Sequence, residues 1–262
     1  MLIHASSIVQ FQGFAWVLAR VSVLFFLLPF FGARNVPALW KAGISLLLAV
    51  LLTPLVPSPP PFPATALGTA VGLASEILLG FSIALGVRII LGSVQLAGQF
   101  MGFQMGFNMA SAMDPETGGQ SVVISQALHL FTVLVFFSVN GHHLFIRALS
   151  ESFDRVPPGS FFLTPGLVNA LVALSNEMFV IALKLAAPII IALFLSNLCL
   201  GIVARTVPQV NILMVGFPLN ICLGLIFLGI VIANLGPFLT DLVGDMARSV
   251  LGLLRLMQVP NG

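Results

Sequence analysis

Apolar residues fill this chain in long runs, and prolines and charges mark where each run ends. The first run covers residues 11–31 and breaks near Pro29, before a polar corner, GARNVPALWK, that carries Arg34 and Lys41. The second, 42–56, closes at Pro54 and Pro57, and SPPPFP (58–63) reads as a stiff polyproline-like link. In the third, 64–113, only Glu76 and Arg88 are charged. As one helix these residues would reach about 75 Å, more than twice a bilayer core of ~30 Å. A turn back near residues 88–92 is therefore expected. The fourth run, 121–146, has no Asp, Glu, Lys or Arg, and an amphiphilic connector, RALSESFDRVPPGSFFLTPG, follows it. The fifth, 167–204, is interrupted by Glu177, Lys184 and Pro188; the sixth, 208–239, contains Pro218 and Pro237. The tail, 241–258, differs in kind. Asp241, Asp245, Arg248, Gly252 and Arg255 step by four and three, which gives an amphipathic helix lying on a membrane or packed on a partner, and an ordinary surface helix fits the pattern equally well.

Composition makes these runs a membrane protein or the buried part of a larger assembly. Of 262 residues 59% are hydrophobic and 7% charged, with a mean hydropathy of +1.13, against about a quarter charged in soluble domains. So few charges cannot cover a water-facing surface, and the fold class is all-α, built of long apolar helices. The net charge of +2, without a basic run, is too small to imply a nucleic-acid partner, and none is expected. Tyr is absent, and Trp16 and Trp40 make a thin interfacial belt, a hint that lipid is not the main neighbour. Arg34 and Lys41 favour a cytoplasmic first loop, but no other loop adds to that signal. MLIHASSIVQ lacks a basic leader region, so the first helix is expected to stay on the protein. Cys199 and Cys222 lie in apolar runs with no CxxC spacing, and are expected to be small buried hydrophobes.

The segment GQFMGFQMGFNMASAMDPETGG, residues 98–119, is the most patterned part of the chain. On a helix, Gly98, Gly102, Gly106 and Ala110 form one slowly winding groove that admits a neighbouring backbone. Met101, Met105, Met109 and Met113 form a ridge beside it, with Phe103 and Phe107 next along. Small residues four apart are common in plain helix packing, and methionines fill gaps in ordinary cores. The sharper alternative is a polarizable seal that parts around passing material. Pro115 pushes Asp114 out of helical geometry and Gly118-Gly119 follow, so a loop is expected after Met113. Irregular backbone between apolar helices is tolerated where it is buried in protein or lines a cavity. A second irregular segment, GIVARTVPQVNILMVGFPLNICLG, carries Arg205, Pro208, Gln209, Asn211 and Pro218.

Reactive chemistry is missing from this pattern. The polar residues of the apolar runs are mostly amides, which join helices or wet a channel without selecting for charge. Glu76 and Glu177 are the embedded acids, with Arg20, Arg88, Lys184 and Arg205 as available ion-pair partners; pairing is the default, a proton relay the alternative. His142-His143 has no acid or cysteine beside it, so no metal site is expected. No nucleophile elbow, HExxH or phosphate loop is present, and neither catalysis nor a cofactor is implied.

Four segments together resemble the FliR family of the bacterial flagellar type III export apparatus. They are RVSVLFFLLPFFGARNVPALWKAGISLLLAVLLTP, GFQMGFNMASAMDPETGG, NGHHLFIRALSESFDRVPPG and ARTVPQVNILMVGFPLNICLG. The order and spacing match over essentially the whole chain. The resemblance implies a FliP-like part, residues 1–166, followed by a FliQ-like helical hairpin, 167–262, with bent helices packed in a helical gate. It implies several copies each of FliP and FliQ around one copy of this chain, with FlhB and FlhA as further neighbours and membrane lipid around them. Some relatives are fused to FlhB; an end at Gly262 reads as unfused. Unfolded flagellar proteins would pass through the gate, which lies in the bacterial inner membrane at the flagellar basal body and is assembled partly on its periplasmic side. The plug would be the loop of about residues 106–119. Its constriction would be Met105, Phe107, Asn108, Met109, Ala110, Ser111, Ala112 and Met113, held at Asp114-Pro115. Where relatives place aromatic residues late in this loop, this chain has Met109 and Ala112. The rivals are the equivalent subunit of virulence type III secretion and a stand-alone secondary transporter, which needs an embedded charge in its path.

Overall fold

The computed structural model describes residues 2–28, 37–56, 63, 65–107, 123–206 and 212–257; for 2–10, 212 and 213 it describes backbone alone. Among these residues the protein is all-α, without strands. The helices are α1 (Leu2–Leu27), α2 (Ala38–Leu52), α3 (Ala66–Gln104), α4 (Val123–Ser138), α5 (Gly141–Arg155), α6 (Pro165–Thr206) and α7 (Ile212–Leu256). Four described segments are long and apolar enough to cross a membrane: Ala38–Leu55, Ala66–Gln104, Pro165–Thr206 and Met214–Leu256.

Local chemistry sets several helix ends. The Pro37 carbonyl accepts from the Trp40 and Lys41 amides and starts α2. Pro54 ends α2 in a short 3₁₀ turn, Thr53–Leu55, with the Thr53 hydroxyl donating back to the Ala49 carbonyl at 2.6 Å. Asn140, in left-handed geometry (φ 56°), separates α4 from α5. Asn tolerates that conformation where most side chains do not.

Three expectations are corrected here. No turn back occurs at residues 88–92, because α3 runs unbroken for 39 residues. Nothing there interrupts a helix: Gly86 and Gly92 are helical, and Arg88 extends from an exposed position. α6 likewise carries Pro188 in its interior over 42 residues, and α7 carries Pro218 and Pro237. The tail is not a separate helix but the continuation of α7 to Leu256. Its stripe is as expected, with Asp241, Asp245, Arg248, Gly252 and Arg255 exposed. Leu242, Val243, Met246, Val250, Leu253 and Leu254 are buried on the other side.

The chain forms two compact units. One comprises Met1–Ile90, Asn140–Ser175 and Val243–Gly262; the other comprises Leu91–Val139 and Asn176–Leu242. In the first, α1 lies close against α3. A Cβ added to Gly72 would fall 2.3 Å from the Trp16 ring, and one on Gly80 would fall 2.9 Å from the Arg20 carbonyl oxygen. Trp16, Val17, Val21, Leu24, Leu79 and Leu149 are buried in this unit, and Phe25 meets Phe145 edge-on at 6.3 Å. In the second, Val94, Ala97, Met101, Leu128, Ile189, Leu193 and Leu235 are buried.

Candidate functional site: the end of α3

Within the second unit the last two turns of α3 fit closely against α4 and α7. Gly98 meets the backbone of α4, since a Cβ there would lie 2.5 Å from Ser125 Cα. The Ser125 hydroxyl donates to the Gln95 carbonyl at 2.9 Å, so the two helices are also joined by a hydrogen bond. Met101, Met105 and Gly102 are buried, whereas Phe103 is 67% exposed on the opposite side. Met105 occupies the space left by Gly224 of α7, where a Cβ would be 2.5 Å from Met105 Cγ.

α3 then ends in a glycine cap. The Phe107 amide donates to the Gly102 carbonyl and the Gly106 amide to the Phe103 carbonyl, both at 3.1 Å. Gly106 has φ +86°, the left-handed geometry that this paired arrangement requires. The Phe217 ring of α7 stands 3.2 Å from where a Gly106 Cβ would be. Gly106 is thus the stop of the helix and not a third step in a helical groove. Among the described residues the close approach to a neighbouring backbone is made at Gly98, and Ala110 lies outside them. The helix ends ahead of Asp114-Pro115 because glycine reaches left-handed geometry without a steric penalty.

Of the sequence-predicted plug residues, Met105 and Phe107 are described here; Asn108, Met109, Ala110, Ser111, Ala112, Met113, Asp114 and Pro115 lie outside the described residues, as do Pro208, Gln209 and Asn211. Arg205 is exposed near the end of α6, and Pro218 sits within α7 beside Phe217. Near it, Asn220 Nδ2 donates to Asn197 Oδ1 at 2.8 Å and the Ser196 hydroxyl donates to Asn220 Oδ1 at 3.3 Å. These bonds join α6 to α7, one of the two uses expected of the amides. Cys199 and Cys222, expected to be buried, are exposed on α6 and α7.

The embedded charges divide. Glu76 is fully buried in the first unit and paired with Arg20, Nε to Oε2 at 2.6 Å. Glu177, Lys184, Arg88 and Arg205 are exposed. Of the two carboxylates that a transporter reading could place in a solute path, Glu76 is therefore held by a guanidinium inside a helix interface. Ion pairing was the expected default for Glu76, with Arg20 among its available partners; the spacing that marks this pair is Gly72, Glu76 and Gly80, one acid between two close-approach glycines. No group of three or more His, Cys, Asp or Glu residues able to hold a metal occurs among the described residues.

The profile of the family described as "Bacterial export proteins, family 1" matches residues 11–246. The chain belongs to this family, and within it to FliR. It is 38% identical over 221 residues to the "Flagellar biosynthetic protein FliR" of Bacillus subtilis (strain 168), covering 83% of this chain and 85% of that one. The protein of the same description in Escherichia coli (strain K12) is 30% identical, covering 88% of each chain. That of Aquifex aeolicus (strain VF5) is 30% identical, covering 80% of this chain and 81% of that protein. FliR membership makes this apolar helical protein a membrane component of the flagellar export apparatus. The family is one of export-apparatus proteins and not a known enzyme family.

Proposed function

We propose that this FliR-family chain is the single-copy subunit of a gate built with FliP and FliQ, and that the segment leaving Gly106 plugs the channel. Unfolded flagellar proteins pass when the plug withdraws, and ions are held back when it is seated. FlhB and FlhA are its further neighbours, at the basal body in the inner membrane. Assembly is partly on the periplasmic side. Residues 1–166 act as the FliP-like part and 167–262 as the FliQ-like part.

The observation that carries the plug reading is the construction of the α3 end. Met101 and Met105 are fully buried, and the exit direction of the chain is fixed by the Gly106 cap against Phe217. A segment that must seat and reseat in one place needs a root that does not shift. The chemistry downstream, with Met109, Ala112 and Met113 before Asp114-Pro115, suits an apolar seal that adapts its shape.

Native mass spectrometry of the complex purified through a tag on this chain, co-expressed with its neighbouring genes, tests the assembly. One copy of this chain with several copies of two small apolar proteins is expected; a lone monomer or homodimer overturns the reading. Deleting residues 111–119 tests the plug, with ion leak through the membrane expected. If conductance and secretion both stay at the wild-type level, the plug lies elsewhere.

A further inference from the structure

Arg20 and Glu76 are both fully buried, and their bonds reach beyond one another. Arg20 Nε donates to Glu76 Oε2, one terminal nitrogen donates to the Ser152 carbonyl at 2.9 Å and to the Ser152 hydroxyl at 3.2 Å, and the other donates to the Val156 carbonyl at 2.9 Å. The guanidinium carbon lies 4.2 Å from the centre of the Phe153 ring. Glu76 Oε1 accepts from the Gly159 amide at 2.8 Å. Ser152 and Val156 stand at the C-terminal end of α5, where unpaired carbonyls and the helix dipole favour a cation. Gly159 has φ +78°, so the turn it makes is one that few residues adopt.

The turn leads to Thr164, which begins α6. The Thr164 hydroxyl accepts from the Leu167 amide at 3.2 Å and donates to the Leu256 carbonyl at 3.1 Å, tying the first turn of α6 to the last turn of α7. All of these groups belong to the first unit. The segment 156–164 is therefore held at one end by the buried pair and at the other by the joined ends of α6 and α7. It is also the stretch between α5 and the first residues of the second sequence part.

We propose that Arg20 and Glu76 are positioning residues for this joint: α1 and α3 together hold the exit of α5, and so fix where the α6–α7 pair is rooted. The function assigned to the joint rests on the export-gate reading; the network does not. The arrangement has a sign. A guanidinium fork is needed opposite two carbonyls, and a carboxylate is needed opposite an N–H and the guanidinium together. A simple charge pair works either way round; this one does not.

The test uses the full chain co-expressed with its export partners, in the variants Arg20→Lys, Glu76→Gln and the reversed pair R20E/E76R. Two quantities are read: secreted substrate, and amide exchange of residues 156–162 in the purified complex. Arg20→Lys keeps the charge but loses the fork, and Glu76→Gln keeps an acceptor for Gly159 but loses the charge. Both are expected to speed exchange at 156–162 and reduce secretion while the chain remains present. The reversed pair is expected to restore neither quantity, because a carboxylate at position 20 would face the Ser152 and Val156 carbonyls. Recovery of both by R20E/E76R overturns the proposal, and so does unchanged exchange in the two single variants, which decide the matter if the reversed chain cannot be recovered. Faster exchange with full secretion also overturns it. Failure of the wild-type chain to co-purify with its partners would count against the gate reading instead, and exchange in the isolated chain would still test the network.

Discussion

Gly98 and Gly106 occupy the same sequence repeat and do different things. Gly98 lets two helix backbones meet, with an added Cβ 2.5 Å from Ser125 Cα, while Gly106 turns the chain out of the helix at φ +86°. The repeat alone could not separate these roles, since both call for a residue without a Cβ. The distinguishing information is in the hydrogen bonds from Phe107 to Gly102 and from Gly106 to Phe103, which exist only after folding. Substitution separates them. Gly106→Ala forces an alanine into left-handed geometry against the Phe217 ring, at about 1–2 kcal/mol. Because the change is local to the helix exit, its expected signature is faster amide exchange at residues 105–107 and ion leak, with little change in the amount of assembled complex. Gly98→Val instead overpacks a backbone contact, at about 1–3 kcal/mol. It is expected to lower the yield of folded chain and to leave any surviving complex tight to ions. Like phenotypes for the two would refute the division.

At the scale of the elements, helix type was legible and helix length was not. A bilayer-thickness rule divided the run at 64–113 near Arg88, yet α3 passes that point without a break. The rule treats every apolar helix as a membrane span. Three helices break that rule: α3, α6 and α7 run 39, 42 and 45 residues, each well beyond the ~20 residues that a bilayer core needs. Pro188, read as an interruption, and Pro218, placed in an irregular segment, misled as well. Pro188, Pro218 and Pro237 each remove one backbone donor, but the surrounding turns persist. The start of α6, by contrast, carries a readable signal: Thr164 followed by Pro165 is a cap followed by a first-turn proline. Thr164→Val removes both the cap to the Leu167 amide and the bond to the Leu256 carbonyl, and is expected to cost about 0.5–2 kcal/mol. Thr164→Ser keeps both bonds and is expected to behave as wild type. Denaturant midpoints of the two variants, each in its co-expressed complex in the same detergent, measure the difference, and equal midpoints would show that the cap contributes nothing.

The whole molecule leaves an unusual surface uncovered. Val172, Phe179, Leu183, Ile191, Phe194, Leu198 and Ile202 are exposed along α6 alone. Lipid could cover such a surface, but the same helix also exposes Glu177, Lys184 and Asn197. Charged side chains facing hydrocarbon are disfavoured by about 2.5–3.5 kcal/mol each at the centre of a bilayer. A protein neighbour can meet both kinds of residue, with apolar packing for most positions and hydrogen bonds for the rest. This favours a chain that completes its fold within an assembly over one that stands alone in lipid. Expression of the chain by itself is therefore expected to give low steady-state abundance and a polydisperse detergent extract. Co-expression with its partners is expected to raise abundance several-fold and give one sharp species, as binding to the folded state alone predicts. A stable, monodisperse single chain in detergent would mean that α6 and α7 are adequately covered by lipid, and the exposed Glu177 and Lys184 would then need a partner within the chain itself.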